Sequence, residues 1–342
     1  MRQRWCLVLM GLACVMALES GSAQVKTDAE RLLAERFGFT PAEIAQARDG
    51  KAVAKMLPSA DSADVGVLAA VRIGANADRL LLWLKDITSF RKAAELGLSR
   101  RLSSPPRISD FAALSLDAGE LSELRTCRPG NCELQLGDRA LQRFQSEVDW
   151  SAADAARKAN LVTRQLMLNL AETYIAGGDE ALGAYHNEKT PRAAADEFRL
   201  VLGRSTALYD LTPALANYLW RFPDAALPDS EQLLYWAKGG AGPDSSMTLH
   251  QLVTYHEPGG AALVVDKQLF ASRYTNAALT VISLVPTADG AGFYAIAGAR
   301  GRSAMLEGVA ARVLRGRVEK ATRETAEMYL NWIGASMSMS PR

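Results

Sequence analysis

The sequence lacks the motifs that usually identify an enzyme or a cofactor-binding protein. It contains no His-Glu-x-x-His zinc motif, no Gly-x-Ser-x-Gly nucleophile motif and no glycine-rich phosphate loop. Histidine is scarce, with three residues in 342, and cysteine is scarce, with four. The sequence therefore predicts neither a cofactor nor a bound metal, and it does not favour an enzyme.

The chain also lacks an excess of charge and a long apolar run. Lys and Arg total 39, Asp and Glu total 38, and hydrophobic residues make up 49% of the chain. A neutral protein has no long-range field that attracts nucleic acid, so nucleic-acid binding is not expected. No stretch reaches the about 20 apolar residues that a membrane-spanning helix requires. The apolar content is typical of a folded globular protein.

Residues 1–23 have the layout of a cleaved export signal. Two arginines precede an apolar run of roughly 14 residues, and small residues at 21–23 suit cleavage before Gln24. We therefore expect a periplasmic or secreted protein. Its mature chain carries 37 basic and 37 acidic side chains. A lipoprotein attached through Cys14 is the alternative, because Leu-Ala-Cys at 12–14 resembles a lipid-attachment motif.

Only two cysteines, Cys127 and Cys132, remain in the mature chain. They flank Arg-Pro-Gly-Asn, in which Pro129-Gly130 is a turn dipeptide that brings the ends of the segment together. In an oxidising compartment we expect a disulfide between them. A redox pair is disfavoured because such pairs are usually spaced Cys-x-x-Cys. Two cysteines without a neighbouring histidine also make a poor zinc site.

The first two-thirds of the mature chain is predicted to be mainly helical. Thr-Pro-Ala-Glu at 40–43 combines an N-cap, a first-turn proline and a capping box. A β-rich run over 65–73 precedes a segment over 78–90 that has an apolar face at helical spacing. Residues 101–131 are rich in Ser, Pro and Gly and are predicted to form a loop. Residues 136–221 follow as a block of at least four helices, which we interpret as an insertion.

The end of the chain is predicted to be rich in strands. Asp229 to Trp236 is expected to be a short helix that Gly239 ends. Four β-rich runs follow, over 248–256, 262–270, 276–285 and 292–299. Short connections between sequential strands indicate an antiparallel meander. An apolar stripe from Met305 to Trp332 predicts one long amphipathic helix.

This order of elements resembles the helix-grip architecture of START-like proteins, in which an antiparallel sheet wraps the last helix and encloses an apolar cavity. The predicted fold is α+β: an antiparallel sheet packed on a long C-terminal helix, with a large helical insertion. We expect a single domain over 24–342, with the meander and the helix at 245–335. The runs at 262–265 and 277–285 are apolar on both faces, which predicts a layer on each side of the sheet. A two-layer domain without a cavity explains the same pattern.

Two short motifs resemble a family of exported bacterial proteins of unknown function. The first runs from Cys127 to Cys132, and the second is Lys-Gln-Leu-Phe-Ala-Ser-Arg-Tyr at 267–274. The family's second motif is similar to Lys-Gln-x-Tyr-Ala-Ser-His-Tyr, so Phe270 and Arg273 replace its first tyrosine and its histidine. The resemblance implies no reaction, cofactor or substrate.

Three residues are candidates for polar anchors of a ligand site: His250, Lys267 and Arg300. Together with the export signal and the two-faced apolar strands, they indicate a protein that binds or carries an apolar or lipid-like ligand. One alternative is an envelope interaction module without a cavity, whose helical block docks a protein partner. The other is a hydrolase of unrecognised type, in which His250 acts as a base with help from Lys267.

Overall fold

An eight-stranded antiparallel sheet organises the computed structural model, which describes residues 29–205, 212–239, 245–257, 261–308 and 311–339. The strand order is β1-β2-β10-β9-β8-β7-β6-β3. The strands are β1 Val53–Leu57, β2 Asp64–Ile73, β3 Leu98–Arg101, β6 Ser230–Gly239, β7 Ser246–His256, β8 Ala262–Ala271, β9 Ala277–Pro286 and β10 Phe293–Arg302. A separate ladder pairs β4 (Ala184–Tyr185) with β5 (Arg192–Ala193). The predicted export signal and the lipoprotein alternative lie outside the described residues.

Nine α-helices lie in the described ranges, and all of them have at least seven residues. They are α1 Pro41–Arg48, α2 Ala77–Lys85, α3 Ile87–Ala93, α4 Ala118–Thr126, α5 Asp138–Glu147, α6 Ala155–Gly177, α7 Ala194–Arg204, α8 Pro213–Arg221 and α9 Ala311–Met339. Helix α1 begins with the predicted capping box, in which Glu43 N donates to Thr40 Oγ1 and Thr40 N donates to Glu43 Oε2. Local sequence signals therefore placed this helix correctly.

Helices α2, α3 and α9 cover one face of the sheet, called the α9 face below. Their buried side chains share one apolar cluster with β2, β6 and β10. Four aromatic rings occupy the space between the helices, with neighbouring centroids 4.9 to 6.0 Å apart: Trp83, Phe90, Tyr329 and Trp332. Helix α9 lies over the edge of the sheet, where Glu327 and Asn331 accept hydrogen bonds from Ala54 N and Ala52 N. These side chains satisfy backbone donors that an edge strand would otherwise leave unpaired.

The opposite face, called the insertion face below, is covered by helices α4 to α8 and by the N-terminal residues 29–48. Helix α6 and its neighbours pack on β6 and β7, and α7 and α8 pack on β8 and β9. The N-terminal residues pack on β2 and β10. The sheet therefore lies between two helical layers, which explains why β8 and β9 are apolar on both faces.

The predicted fold class is confirmed. The first long strand, β2, pairs with the last strand, β10, and β6 to β10 form the antiparallel meander. The connection from β3 to β6 spans 102–229 and contains the helical block predicted at 136–221. The α+β sheet packed on a long C-terminal helix, with a large helical insertion, is therefore the observed architecture.

Two local predictions were wrong. The segment expected to be a helix from Asp229 to Trp236 is instead part of strand β6. Tyr235 and Trp236 are adjacent and both fully buried, and they point to opposite faces of the sheet. The segment 101–131, expected to be a loop, contains helix α4, which Asp117 and Glu120 begin with a capping box. The spacing Asp-x-x-Glu was a usable signal for that helix.

Candidate functional site

Arg300 lies on the insertion face, where its side chain is almost completely buried. It sits on β10 opposite Leu279 of β9 and Gly66 of β2. A Cβ atom on Gly66 would lie 3.1 Å from the guanidinium carbon, so glycine at this position makes room for the side chain. Arg300 is 7% exposed and its terminal nitrogen Nη1 donates to the carboxylate of Asp64. Within the described chain, however, Arg300 Nε finds no hydrogen-bond partner.

A cavity of about 430 Å³ lies beside this guanidinium. Its floor is apolar and consists of Leu68, Leu279 and Val281 from the central strands. Residues 56–58 at the end of β1 form one wall. Four of the described side chains that line it are cationic and none is acidic; the four are Arg36, Lys55, Arg204 and Arg300. An apolar floor with a cationic rim is complementary to an amphipathic anion.

Carboxylates outside the lining hold the rim cations in place. Arg204 lies 3.2 Å from Asp61 and 3.7 Å from Asp64, and Lys55 lies 3.1 Å from Glu43. Burial raises the pKa of Asp61, but hydrogen bonds and charge from Arg302 lower that pKa below its ordinary value overall. Asp61 therefore stays ionised at neutral pH and fixes the neighbouring arginines. The Arg300 guanidinium also makes long contacts of 3.5 Å to Pro58 O, and both Arg300 Nε and Asp64 Oδ1 are buried without a hydrogen-bond partner in the described chain.

The cavity continues along β9 into a second concavity of about 610 Å³. The two share Arg36 and Val281, and the floor of the second adds Leu263 and Val285. The residues 29–36 form its other side. Arg31, Glu35 and Glu257 also line this concavity, so a hydrocarbon chain would contact its strand side.

A second polar group of residues lies on the α9 face, around His250. Its Nδ1 is 2.8 Å from Asp266 Oδ1, and its Nε2 is 2.8 Å from the hydroxyl of Thr248. Tyr235 donates to Asp266 Oδ2 at 2.6 Å and stacks on the imidazole at 4.5 Å between ring centroids. These contacts hold the imidazole between a carboxylate and a hydroxyl.

Asp266 is ionised in this arrangement. Burial raises the pKa of its carboxyl, but the charge and hydrogen bond of His250 and the hydrogen bond of Tyr235 outweigh burial and lower that pKa overall. The same environment raises the pKa of Tyr235 well above its ordinary value, through burial and then through the charge of Asp266. Tyr235 therefore donates and Asp266 accepts at neutral pH. The Asp266 side chain is still 31% exposed, so the group is open on one side.

A groove of about 240 Å³ lies on the same face, two strands away from His250 and under the first half of α9; no residue of the polar group lines it. Its sheet side is made of small residues, among them Ala278, Thr280 and Ala299. Ala278 pairs with Gln268 on the next strand, and Gln268 pairs with His250. Within the described chain Gln268 Nε2 has no hydrogen-bond partner, although the atom is buried.

Lys267 is a structural contact between the sheet and the insertion. Its ammonium is 2.5 Å from Asp179 Oδ1 and lies 4.6 Å from the ring centroid of Phe198. The side chain is 1% exposed, and burial lowers its pKa against the opposing effect of Asp179. A lysine sealed in this way cannot contact a ligand without movement of the insertion.

The structure does not bring the three predicted anchors together. Lys267 and Arg300 are on the insertion face in one row, each paired with Leu279, which places their Cα atoms about 10 Å apart. His250 is on the α9 face. Of the three, Arg300 alone lines the cavity of about 430 Å³, and His250 belongs to the second polar group. Sequence reasoning missed Asp266 and Gln268, because a bulge between β7 and β8 sets the register of β8 opposite His250. It also missed Thr248, although the two-residue strand period puts Thr248 on the same face as His250.

The predicted disulfide between Cys127 and Cys132 is present. Backbone hydrogen bonds attach its turn to residues 186 and 187, from Gly130 N to His186 O at 2.8 Å and from Cys132 N to Asn187 O at 3.1 Å. The loop therefore links the end of α4 to the segment after β4. This is a structural role within the insertion.

Comparison with known proteins assigns no function. No protein-family model, no curated protein and no solved structure matches the chain. In the ranges that the structure describes, no group of three or more His, Cys, Asp and Glu side chains is arranged to hold a metal ion. No described helix is both long and apolar enough to cross a membrane.

Proposed function

We propose that this protein binds a single-chain amphiphile that has a hydrocarbon chain and a carboxylate head group. One observation carries the proposal: the buried side chain of Arg300 lines a cavity with an apolar floor, whose described lining holds four cations and no carboxylate. A carboxylate accepts from arginine in a charge-assisted hydrogen bond, which matches an anionic head group to this cationic lining. The carboxylate would contact Arg300, and the hydrocarbon chain would lie along β9.

The size and lining of the concavities support this class of ligand. Ligand sites commonly have volumes of about 300–1,000 Å³ and are mostly apolar with a few polar anchors. Each buried methylene contributes about 0.8 kcal/mol, so the chain supplies most of the affinity. The cationic rim, which includes Arg36 and Arg204, adds selectivity for an anion over a neutral lipid.

Binding of lauric, palmitic and stearic acids to the purified mature chain tests the proposal, with displacement of a fluorescent fatty acid as the readout. We expect saturable binding with one ligand per chain. Arg300→Lys retains the positive charge but removes the Nε–H and the planar fork, and should weaken binding about tenfold. Arg157→Lys is the matched control, because Arg157 is on α6 and is 71% exposed. Its affinity should equal that of the unaltered protein.

A variant in the apolar wall separates ligand contact from loss of structure. Leu57 is half-buried at the end of an edge strand, so Leu57→Asp should fold and should repel both the chain and the carboxylate. We expect a loss of binding with a small change in melting temperature. Absence of fatty-acid binding by the unaltered protein would reject the proposal. It would also be rejected if Arg300→Lys and Leu57→Asp both bound fatty acids as tightly as the unaltered protein.

We further propose that the protein works in the periplasm or outside the cell. The Cys127–Cys132 disulfide supports this, since disulfides persist in oxidising compartments. Expression of the full chain, followed by fractionation and N-terminal sequencing, is the test. We expect an exported product that begins at Gln24. An uncleaved cytoplasmic product would reject the proposal, and a lipid-modified Cys14 would identify the lipoprotein alternative.

A further inference from the structure

The polar group around His250 has the connectivity of a hydrolytic triad. Thr248 contacts Nε2 of the imidazole and Asp266 contacts Nδ1, each at 2.8 Å. A carboxylate has no hydrogen to give, so the proton between Asp266 and His250 belongs to Nδ1 in the neutral imidazole. Nε2 then carries the lone pair and accepts from the Thr248 hydroxyl. This is the arrangement that activates a hydroxyl as a nucleophile.

The surroundings of Thr248 favour this direction of hydrogen bonding. The other acceptor near its hydroxyl is Ala237 O at 3.4 Å, which is a longer contact than the one to His250. Thr248 is half-buried, and the Asp266 side chain on the other side of the imidazole is 31% exposed, so the group borders solvent. Tyr235 holds both the imidazole, by stacking, and the carboxylate, by a hydrogen bond of 2.6 Å. The base is thereby held in one orientation.

Gln268 supplies the remaining element of such a site. It is the cross-strand partner of His250, and its amide Nε2 is buried without a hydrogen-bond partner in the described chain. This amide donates to the oxygen that becomes negatively charged once the Gln268 side chain turns toward the reactant. The groove of about 240 Å³ is lined by Ala278, the partner of Gln268 on the next strand, and not by Thr248, His250 or Asp266.

We infer that Thr248, His250, Asp266 and Gln268 form an acyl-hydrolase site for small carboxylic esters, on the opposite face of the sheet from the proposed amphiphile site. The Thr248 oxygen attacks the ester carbonyl, and its proton moves to His250 Nε2. The carbon–oxygen bond to the alcohol breaks, and the alcohol leaves with that proton. Water then attacks the acyl-threonine ester, His250 takes one proton of the water and returns it to Thr248, and the carboxylic acid is released.

A fluorophosphonate probe tests the nucleophile directly on the purified mature chain. The probe should form one covalent adduct, which peptide mapping should place on Thr248. Thr248→Val preserves the shape and removes the hydroxyl, and His250→Gln removes the base, so each should lower the labelling rate about 100-fold or more. Thr254→Val is the matched control, because Thr254 is on the same strand and face, and it should label at the rate of the unaltered protein.

Conservative changes and turnover decide between a chemical and a structural role. Thr248→Ser keeps the hydroxyl and should label at least as fast as the unaltered protein, which a purely structural threonine would not predict. Hydrolysis of p-nitrophenyl acetate and butyrate should fall in parallel with labelling in Asp266→Asn. No adduct on the unaltered protein, or labelling that survives His250→Gln, would overturn the inference. Because fatty-acid binding depends on Arg300, it should be unchanged in every one of these variants.

Discussion

The two faces of the sheet are covered by helices in different ways. On the α9 face, aromatic and aliphatic side chains fill the space between sheet and helices, and Trp83, Phe90 and Trp332 contact one another. On the insertion face, buried polar contacts cross from the helices to the strands. Lys267 contacts Asp179, and Arg302 donates to Glu197 at 2.8 Å.

The difference shows what each kind of contact contributes. Apolar burial stabilises without fixing one arrangement, whereas a buried ion pair contributes little net stability and penalises every arrangement in which it is broken. The insertion is joined to the sheet by pairs that are far apart in sequence, 88 residues for Lys267 and Asp179. We interpret these pairs as contacts that select the position of the insertion on the sheet.

The largest expected effect breaks one of these pairs. Lys267→Ala leaves Asp179 without its cation in a mostly buried position, and should lower the free energy of unfolding by about 3–5 kcal/mol. Urea denaturation of the purified variant measures the loss. Lys267→Met combined with Asp179→Leu removes both charges and should recover most of it. If the double variant is as unstable as the single one, lost packing rather than an unpaired charge explains the effect.

A deletion on the α9 face should behave as an apolar cavity. Leu330 of α9 is 2% exposed in the cluster between helix and sheet, so Leu330→Ala should lower the free energy of unfolding by about 3 kcal/mol. The loss should be the same in low and high salt and between pH 6 and pH 9. An effect that varies with salt or pH over this range would contradict the apolar character of the cluster around Leu330.

Removal of the disulfide should have a smaller effect, confined to the insertion. Cys127→Ser combined with Cys132→Ser opens a short loop and should lower the free energy of unfolding by about 2 kcal/mol. The oxidised and reduced forms of the unaltered protein should differ by the same amount in urea. Identical midpoints for these two forms would show that the loop is held by its backbone hydrogen bonds alone.

The smallest expected effect is a change in the response to acid. The folded pKa values of Asp266 and Asp61 are both lowered, so the unfolded chain binds protons more readily than the folded chain below about pH 4. Their contribution to stability is therefore present above that pH and is lost as the pH falls through the folded pKa values. Asp266→Asn and Asp61→Asn should each flatten the decline in unfolding free energy between pH 5 and pH 3. A decline as steep as in the unaltered protein would show that the carboxylate in question does not contribute.

Local sequence patterns predicted most of the helices and strands whose formation is decided by residues close together in the sequence. Helix α1 follows from a capping box, and β7 to β10 follow from β-rich runs separated by short turns. The strand β6 could not be recognised this way, since Ser-Glu-Gln at its start is typical of a helix N-terminus. Its two central aromatics are buried on opposite faces because a helical layer covers each face of the sheet.

The candidate sites divide in the same way. Arg300 and His250 were identifiable as polar residues near apolar strands, but their partners were not. Asp64 is 236 residues from Arg300 in the sequence. Gln268 lies opposite His250 because of a strand pairing that contains a bulge. Whether neighbouring polar residues share a site depends on which face each occupies, and strand register sets that.

The sequence by itself determined the α+β class, the long C-terminal helix, the antiparallel meander and the Cys127–Cys132 pairing, because each depends on periodicity or on residues a few positions apart. The tertiary structure alone decided that Lys267 is sealed by Asp179, that Arg300 lines an apolar cavity, and that His250 lies between Thr248 and Asp266. The physical reason is that these contacts form only when distant segments cover the two faces of one sheet.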